Sequence, residues 1–284
     1  METVVAVLGA GKIGKAFISA VLRSAWGKVI ATARSENSLA EAARLGALAT
    51  RDNREAVKKA GIVVLSVKPF HFPQLLREVG GDVWEEKLVV SVMAGVKLST
   101  LASVLEGAEV YRAMPNLNAY VGLSSTAVAC NGRCERAQLV EQFLGLLGRV
   151  YWVPEEYLDV WTGLAGSGPA FISEIVDALA MGAVAAGLSR ELAYMAVLDV
   201  LEGTAQLLRS RVGVHPAQLR DEVATPAGTT IRGLMVLESE GVKAALMKVV
   251  EEAARRSRVI GLEVDEKVQS ELEKVFLYGA RKRK

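Results

Sequence analysis

Histidine and cysteine are nearly missing from this chain: its 284 residues contain two of each. A metal centre built on these side chains needs three or four ligands brought together. His71 and His215 are far from one another and from Cys130 and Cys134 in sequence, so no metal site is expected. The Cys-Asn-Gly-Arg-Cys segment reads as two reduced, structurally incidental thiols. A disulfide there requires a local backbone that brings the two Cβ atoms together.

Excess charge is also missing. A net charge of +2 gives no reason to expect nucleic acid or an anionic membrane as a partner. The basic end Arg281-Lys282-Arg283-Lys284 reads as a solvated terminus. No uninterrupted apolar run approaches the ~20 residues that span a bilayer. The nearest, Ala178 to Leu188, has 11 residues and directly follows Glu174 and Asp177. The chain enters Val4–Leu8 with no basic region and no cleavage site ahead of it, so no secretory signal is expected and the expected compartment is the cytoplasm.

What is abundant is apolar. Hydrophobic residues make up 51% and charged residues 23%, which predicts a substantial core over a length that suits two domains. Val4–Leu8, Val29–Ala33, Ile62–Val67, Leu88–Val92, Val110–Met114 and Ser125–Ala129 read as short strands, with Tyr151-Trp152-Val153 as a last one. Helix-like segments such as Lys12–Ala25 and Ser38–Leu45 lie between several of them. That alternation predicts an α/β fold: a parallel sheet with helices on both faces.

After Pro154 the composition passes from Val-rich to Ala/Leu-rich. Glu155–Leu164, Gly168–Ala186, Ser189–Ser210, Pro216–Val223, Thr229–Glu240 and Val242–Arg258 read as helices, with a final one from Asp265 to about Tyr278. The expected boundary is therefore residues 1–154 against 155–284. Gly168–Ala186 is apolar nearly all round, and such a helix is normally buried on every side. A homodimer with interleaved helices is the economical way to bury it.

Two segments carry chemistry. Gly9-Ala10-Gly11-Lys12-Ile13-Gly14 follows strand Val4–Leu8 and opens a helix, as a dinucleotide site requires. Gly9 permits the tight turn, Gly11 lets backbone approach the pyrophosphate, and Gly14 allows close helix–strand packing. Far downstream, Thr225-Pro226-Ala227-Gly228-Thr229-Thr230-Ile231 offers small side chains, hydroxyls and amides suited to a small carboxylate. Together they suggest a reductase carrying hydride from a nicotinamide to a small acid.

Cofactor choice is read at the end of the second strand. An NAD site places Asp or Glu there for the ribose 2′-hydroxyl. Here Arg34 and Ser35 come first, and a guanidinium fork suits a 2′-phosphate, so NADPH is favoured over NADH. Ser66-Val67-Lys68-Pro69 ends another strand and should face the cofactor, while Ala94 and Gly95 are small enough for the nicotinamide ribose to pass. Leu8 and Asn53 complete the expected cofactor set.

Val67-Lys68-Pro69, Ala94-Gly95, Met114-Pro115-Asn116, Gly163–Ala170, His215-Pro216 and Thr225–Ile231 resemble pyrroline-5-carboxylate reductase, in order along nearly the whole chain. The resemblance implies NAD(P)H-dependent reduction of Δ1-pyrroline-5-carboxylate to L-proline. It also implies an N-terminal Rossmann-type domain, an all-α dimerisation domain, and dimers that in many members assemble into larger rings. With the local chemistry, it points to Thr230 as a hydroxyl near the ring nitrogen and Thr225 as support for the same loop. The amides of Gly228, Thr229 and Thr230 would receive the substrate carboxylate if they open the next helix.

The family usually reads Met-Pro-Asn-Thr-Pro-Ala where this chain has Leu117-Asn118 in the fourth and fifth places, which removes a hydroxyl and a ring beside the nicotinamide. Ala227 stands where glycine is common, a small change if its φ is negative. His71 and His215 are expected to be structural. Three rivals stay open: a reductase of another cyclic imine acid, a non-catalytic NADPH-binding protein, and a β-hydroxyacid dehydrogenase. The last family places a lysine four residues after the second glycine of its helix start, where Ile172 stands here.

Overall fold

The computed structural model describes residues 3–281, with side chains through residue 274; the basic end at 282–284 lies outside the described residues. Eight strands form one sheet: β1 Val4–Leu8, β2 Lys28–Thr32, β3 Leu48–Thr50, β4 Ile62–Leu65, β5 Leu88–Ser91, β6 Glu109–Met114, β7 Ser124–Cys130 and β8 Gly148–Trp152. Their order is β3-β2-β1-β4-β5-β6-β7-β8. Leu8 pairs with Thr32 on one side and Leu65 on the other, so β1, β2 and β4 end level with one another. That edge is where an open parallel sheet binds ligands.

Helices α1 Lys12–Arg23, α2 Glu36–Arg44, α3 Asn53–Lys59, α4 Phe72–Val79, α5 Leu98–Ala102 and α6 Ala137–Gly145 alternate with the strands. Side chains alternate across the sheet. Ala6, Leu8, Val63, Leu65 and Val89 pack on one face, and Val5, Val7, Val29, Val64 and Val90 on the other. Both faces are covered, which is why these strands are continuous Val/Ile/Leu runs.

Two sequence expectations need correction here, and one strand is added. The sheet is not wholly parallel, because β7 runs antiparallel to β6. Only residues 115–123 join them, and a parallel return needs a crossover of about a dozen residues or more. The edge strand β3 gave no sequence signal, being three residues of Leu-Ala-Thr. Cys130 and Cys134 are not free thiols but a disulfide, with Cα atoms 6.3 Å apart across the turn after β7.

The chain divides into two compact units, residues 1–167 with 252–284, and residues 168–251. This differs from the single expected boundary at 154. The segment expected as one helix over Glu155–Leu164 is a short 3₁₀ turn, then α7 Leu158–Trp161, then a π turn over Thr162–Gly166. The second unit holds α8 Gly168–Ala185, α9 Arg190–Ser210, α10 Pro216–Val223, α11 Thr229–Ser239 and the start of α12 Val242–Arg281. The two expected terminal helices are one, continuous through 258–265.

The far part of α12 returns to the first unit. Val264, Val268 and Leu272 join the core cluster of Leu98, Leu101 and Leu105. The buried carboxylate of Asp265 accepts hydrogen bonds from the Lys97 amide at 3.0 Å and the Thr100 hydroxyl at 2.8 Å. Within this same unit Gly163 packs against α12: a Cβ there would stand 2.5 Å from the Ala254 nitrogen.

A second buried carboxylate fastens the middle of the sheet. Glu109, 1% exposed, accepts from the Tyr111 hydroxyl, and from the amide and side-chain Nε of Arg136 at 2.6 and 2.7 Å. Burial raises its pKa, but these donors outweigh burial and hold it below the ordinary value. A carboxylate depressed in this way contributes stability above the ordinary glutamate value of about 4.3 and loses it as pH falls through the lower folded value. Removing one partner of a buried pair costs about 3 kcal/mol. Arg136→Ala should therefore lower the urea midpoint and raise the pH of acid unfolding, both measurable by circular dichroism.

Candidate active site

The glycine turn is built on close approach. At Gly9, with φ +103°, a Cβ would meet Ser66 backbone atoms at 2.8 Å; at Gly14 it would stand 2.2 Å from the Gly9 carbonyl oxygen. At Gly11 it would meet nothing within 4 Å, so that position is open to an approaching ligand. The amides of Gly9 and Ala10 donate to the Thr32 carbonyl at 3.0 and 2.9 Å, and that of Gly11 to the Gly9 carbonyl at 2.8 Å. The first amides of α1, those of Lys12, Ile13 and Gly14, are the ones this turn leaves without a backbone acceptor inside the helix. Gly11 caps this helix without a side-chain hydrogen bond, and first-turn amides have no partner within their helix.

A cleft of about 520 Å³ opens beside this turn, a volume typical of small-molecule sites. Gly9, Ala10, Gly11, Arg34, Ser35, Asn53, Ser66, Val67 and Lys68 line it. Ser66 does more than line it: its hydroxyl donates to the Gly9 carbonyl at 2.7 Å and braces the turn. Ser35 caps α2 by accepting from the Ser38 amide. Asn53 donates to Glu78 at 2.6 Å.

The cleft has walls that sequence reasoning missed: Thr32, Ala33, Ser38, Arg51, His71, Gln74, Leu75 and Glu78. Arg51 is pinned to the Arg34 carbonyl and the Glu36 carboxylate. His71, expected to be structural, faces Arg34. The other histidine is structural, since His215 Nδ1 accepts the Ala217 amide at 3.1 Å and caps α10. Leu8 is fully buried under the turn. Pro69 opens a 3₁₀ turn and is not in the cleft wall.

Ala94 and Gly95 are not in that wall either. Gly95, with φ +84°, is small for another reason: a Cβ would stand 2.9 Å from the Cα of Gly261 on α12 and 3.1 Å from Val264. Its missing side chain admits a helix.

In the second unit, Gly228 caps α11 with no side-chain hydrogen bond. Its own amide donates to the Thr225 carbonyl at 3.0 Å, so it is not free for a carboxylate as expected. Thr229 and Thr230 carry the first amides of the helix. A Cβ on Gly228 would meet Thr225 Oγ1 at 2.3 Å, so Thr225 and Gly228 share one tight turn. Ala227 has φ +60°, so the condition under which the change from glycine is small is not met.

These features match known proteins. A family model described as "Pyrroline-5-carboxylate reductase dimerisation" matches residues 155–260, and one described as "NADP oxidoreductase coenzyme F420-dependent" matches residues 4–95. The chain is 38% identical to pyrroline-5-carboxylate reductase 3 of Mus musculus over 89% of this chain and 94% of that protein. It is 36% identical to pyrroline-5-carboxylate reductase of Methanosarcina acetivorans over 89% and 96%. The chain belongs to the pyrroline-5-carboxylate reductase family.

A solved 1-pyrroline-5-carboxylate reductase from Streptococcus pyogenes superposes with a TM-score of 0.81 at 27% identity, covering 90% of this chain and 98% of that one. The Plasmodium falciparum enzyme, solved with NADP bound, shares the fold with a TM-score of 0.80 at 23% identity, over 91% and 98%. The Gly-Ser-Gly-Pro-Ala block that suggested this reductase family lies where the π turn passes into α8. Asn116 donates to the Ala165 carbonyl in that turn at 3.0 Å and accepts from the Asn118 amide at 3.1 Å. Leu117 and Asn118, where this chain leaves the family pattern, begin an exposed 3₁₀ turn, Leu117–Val121.

A left-handed non-glycine residue costs about 1 kcal/mol. Ala227→Gly is expected to hold or slightly raise the thermal midpoint, whereas the β-branched Ala227→Val should lower it by several degrees in calorimetry. Gly228→Ala, which collides with Thr225, should cost activity more than stability.

Proposed function

We propose that this chain reduces the C=N bond of Δ1-pyrroline-5-carboxylate to give L-proline, with NADPH preferred over NADH. The observation that carries the reading is the uncapped start of α11, which presents amides and two threonine hydroxyls within one turn. NADPH, when bound, supplies the hydride. Its pyrophosphate fits the first amides of α1, and the Arg34–Ser35 turn fits the 2′-phosphate, with no acid in the place where an NAD site needs one.

The substrate is an imine that is already electrophilic when its nitrogen is protonated, so no strong acid has to be supplied. The amides of Thr229 and Thr230 hold the carboxylate. The Thr230 hydroxyl accepts from the iminium N–H and fixes the ring, and hydride addition to carbon leaves that proton on the product amine. Thr225 keeps Gly228 and the start of α11 in place. Catalysis on this reading is positioning, with donor and acceptor carbons at about 3–3.5 Å.

We also infer a homodimer. In the single chain, Leu179, Met181, Leu188, Leu192, Met195 and Leu198 of the second unit are exposed, and Ala180 and Ala193 are its only fully buried apolar residues among those described. The segment Glu155–Ala185 is long and apolar enough to cross a membrane by length and composition, yet it carries Glu155, Glu156, Asp159, Glu174 and Asp177. A partner copy covers such a face without burying those charges in lipid.

A coupled assay following NADPH consumption with synthetic substrate, with proline identified by mass spectrometry, tests the activity. Thr230→Ala should lower kcat/KM by about 10²-fold while NADPH affinity holds; an unchanged kcat/KM removes Thr230 from the mechanism. Arg34→Ala should raise the KM for NADPH far more than that for NADH. Light scattering at micromolar concentration should give a dimer or a multiple of it, and a monomeric mass contradicts the interface.

A further inference from the structure

The cofactor cleft holds a histidine to which the reaction gives no role. His71 stands in the turn before α4, and Arg34 reaches it from the turn after β2. Arg34 Nη2 is 2.6 Å from His71 Nε2, and Nη1 is 3.5 Å from Nδ1. A guanidinium can only donate, so Nε2 accepts and the imidazole is held neutral. Burial, and then the charges of Arg34 and Lys68, keep its pKa below the ordinary histidine value.

The other charges lining this part of the cleft are those of Arg51, Glu78 and Lys68. Arg51 is bound to Glu36 and to the Arg34 carbonyl. Glu78, on α4, accepts from Asn53 at 2.6 Å and Gln74 at 2.9 Å. Lys68 precedes His71 in the same turn, and Lys267 of α12 stands over the ring of Phe70, 5.9 Å from its centre. No carboxylate in this group is hydrogen-bonded to the imidazole. An anion is needed before His71 can carry a charge beside Arg34.

We propose that the 2′-phosphate of NADPH is that anion, and that His71 takes up a proton on binding it and becomes a second cationic arm beside Arg34. This rests on the reading of the cleft as an NADPH site. The dianion replaces His71 as acceptor for Arg34, and the imidazole, now beside two negative charges, becomes a donor. The proton comes from solvent. NADH lacks the phosphate and leaves His71 neutral. Cofactor choice is therefore linked to pH.

The sign follows from the two states. His71 titrates below its ordinary value in the free enzyme and above that depressed value in the complex. Between the two, each NADPH bound consumes a proton, so its affinity falls as pH rises through the window. A charge brought within about 4–6 Å moves a pKa by one to three units, which corresponds to a change of about tenfold or more in affinity. The 2′-phosphate itself titrates near pH 6, so the measurement belongs at about pH 7 and above.

Calorimetric titration of the whole enzyme with NADPH and NADH, from about pH 7 to 9 and in two buffers of different ionisation heat, tests this. The wild type should take up a fraction of a proton with NADPH near pH 7 and none with NADH, and its NADPH-to-NADH affinity ratio should fall about tenfold by pH 9. His71→Asn should abolish the uptake and hold the ratio near the wild type's high-pH value throughout. His71→Arg, always charged, should flatten the profile at the low-pH value. A wild type that prefers NADPH with a flat pH profile, or a His71→Asn variant with undiminished uptake, overturns the role of His71 alone. A wild type that prefers NADH across the range overturns the cofactor reading and this inference with it.

Discussion

Everything at the nucleotide end depends on how closely α1 lies against the strand before it. The missing side chain of Gly14 is all that separates helix from turn, since a single carbon there would stand 2.2 Å from the Gly9 carbonyl oxygen. With that distance fixed, the first turn of α1 points along the carboxyl edge of the sheet. The Ser66 hydroxyl, bonded to the same carbonyl, ties β4 to the turn. The level ends of β1, β2 and β4 then bring Arg34 and Lys68 to one cleft, although 33 residues separate them in sequence. Four cationic or potentially cationic side chains gathered on one edge cost self-repulsion, which the pairing of Arg51 with Glu36 partly offsets.

The second chemical segment follows the same logic on a smaller scale. Thr225 and Gly228 close on one another so tightly that no side chain fits between them, and the helix that follows starts without a side-chain cap. Evolution commonly fills such a start with Ser, Thr, Asp or Asn. Here the threonines follow the cap as the first two helical residues, which leaves the amides open toward an external acceptor. The left-handed Ala227 is the strained element of this turn, and strain of this kind collects where function over-determines the backbone.

Much of this was legible in the residues. The strand–glycine–helix start, the Arg34–Ser35 turn and the Lys68 turn come from short-range rules, and all three border one cleft. What could not be read depends on distant neighbours. The smallness of Gly95 was visible, but only Gly261 and Val264 explain it. His71 looked structural because its partner lies 37 residues away. The amide of Gly228 looked free because turns are closed by carbonyl geometry rather than by residue type. The direction of β7 was misread for want of one consideration, the length of its connection. The disulfide depended on a turn whose shape composition does not reveal.

One feature of the architecture bears on how the chain matures. The sheet is complete at Trp152, yet Val264, Val268 and Leu272 fill part of its core, and the whole second unit is inserted before them. During synthesis the nucleotide-binding half must wait, with an apolar flank still open to water, until more than a hundred further residues have emerged. At about 5–20 residues per second that interval lasts several seconds or more. Early termination in α12 before Leu272 would thus damage the portion made first, and a nascent-chain chaperone has a defined surface to guard in the meantime.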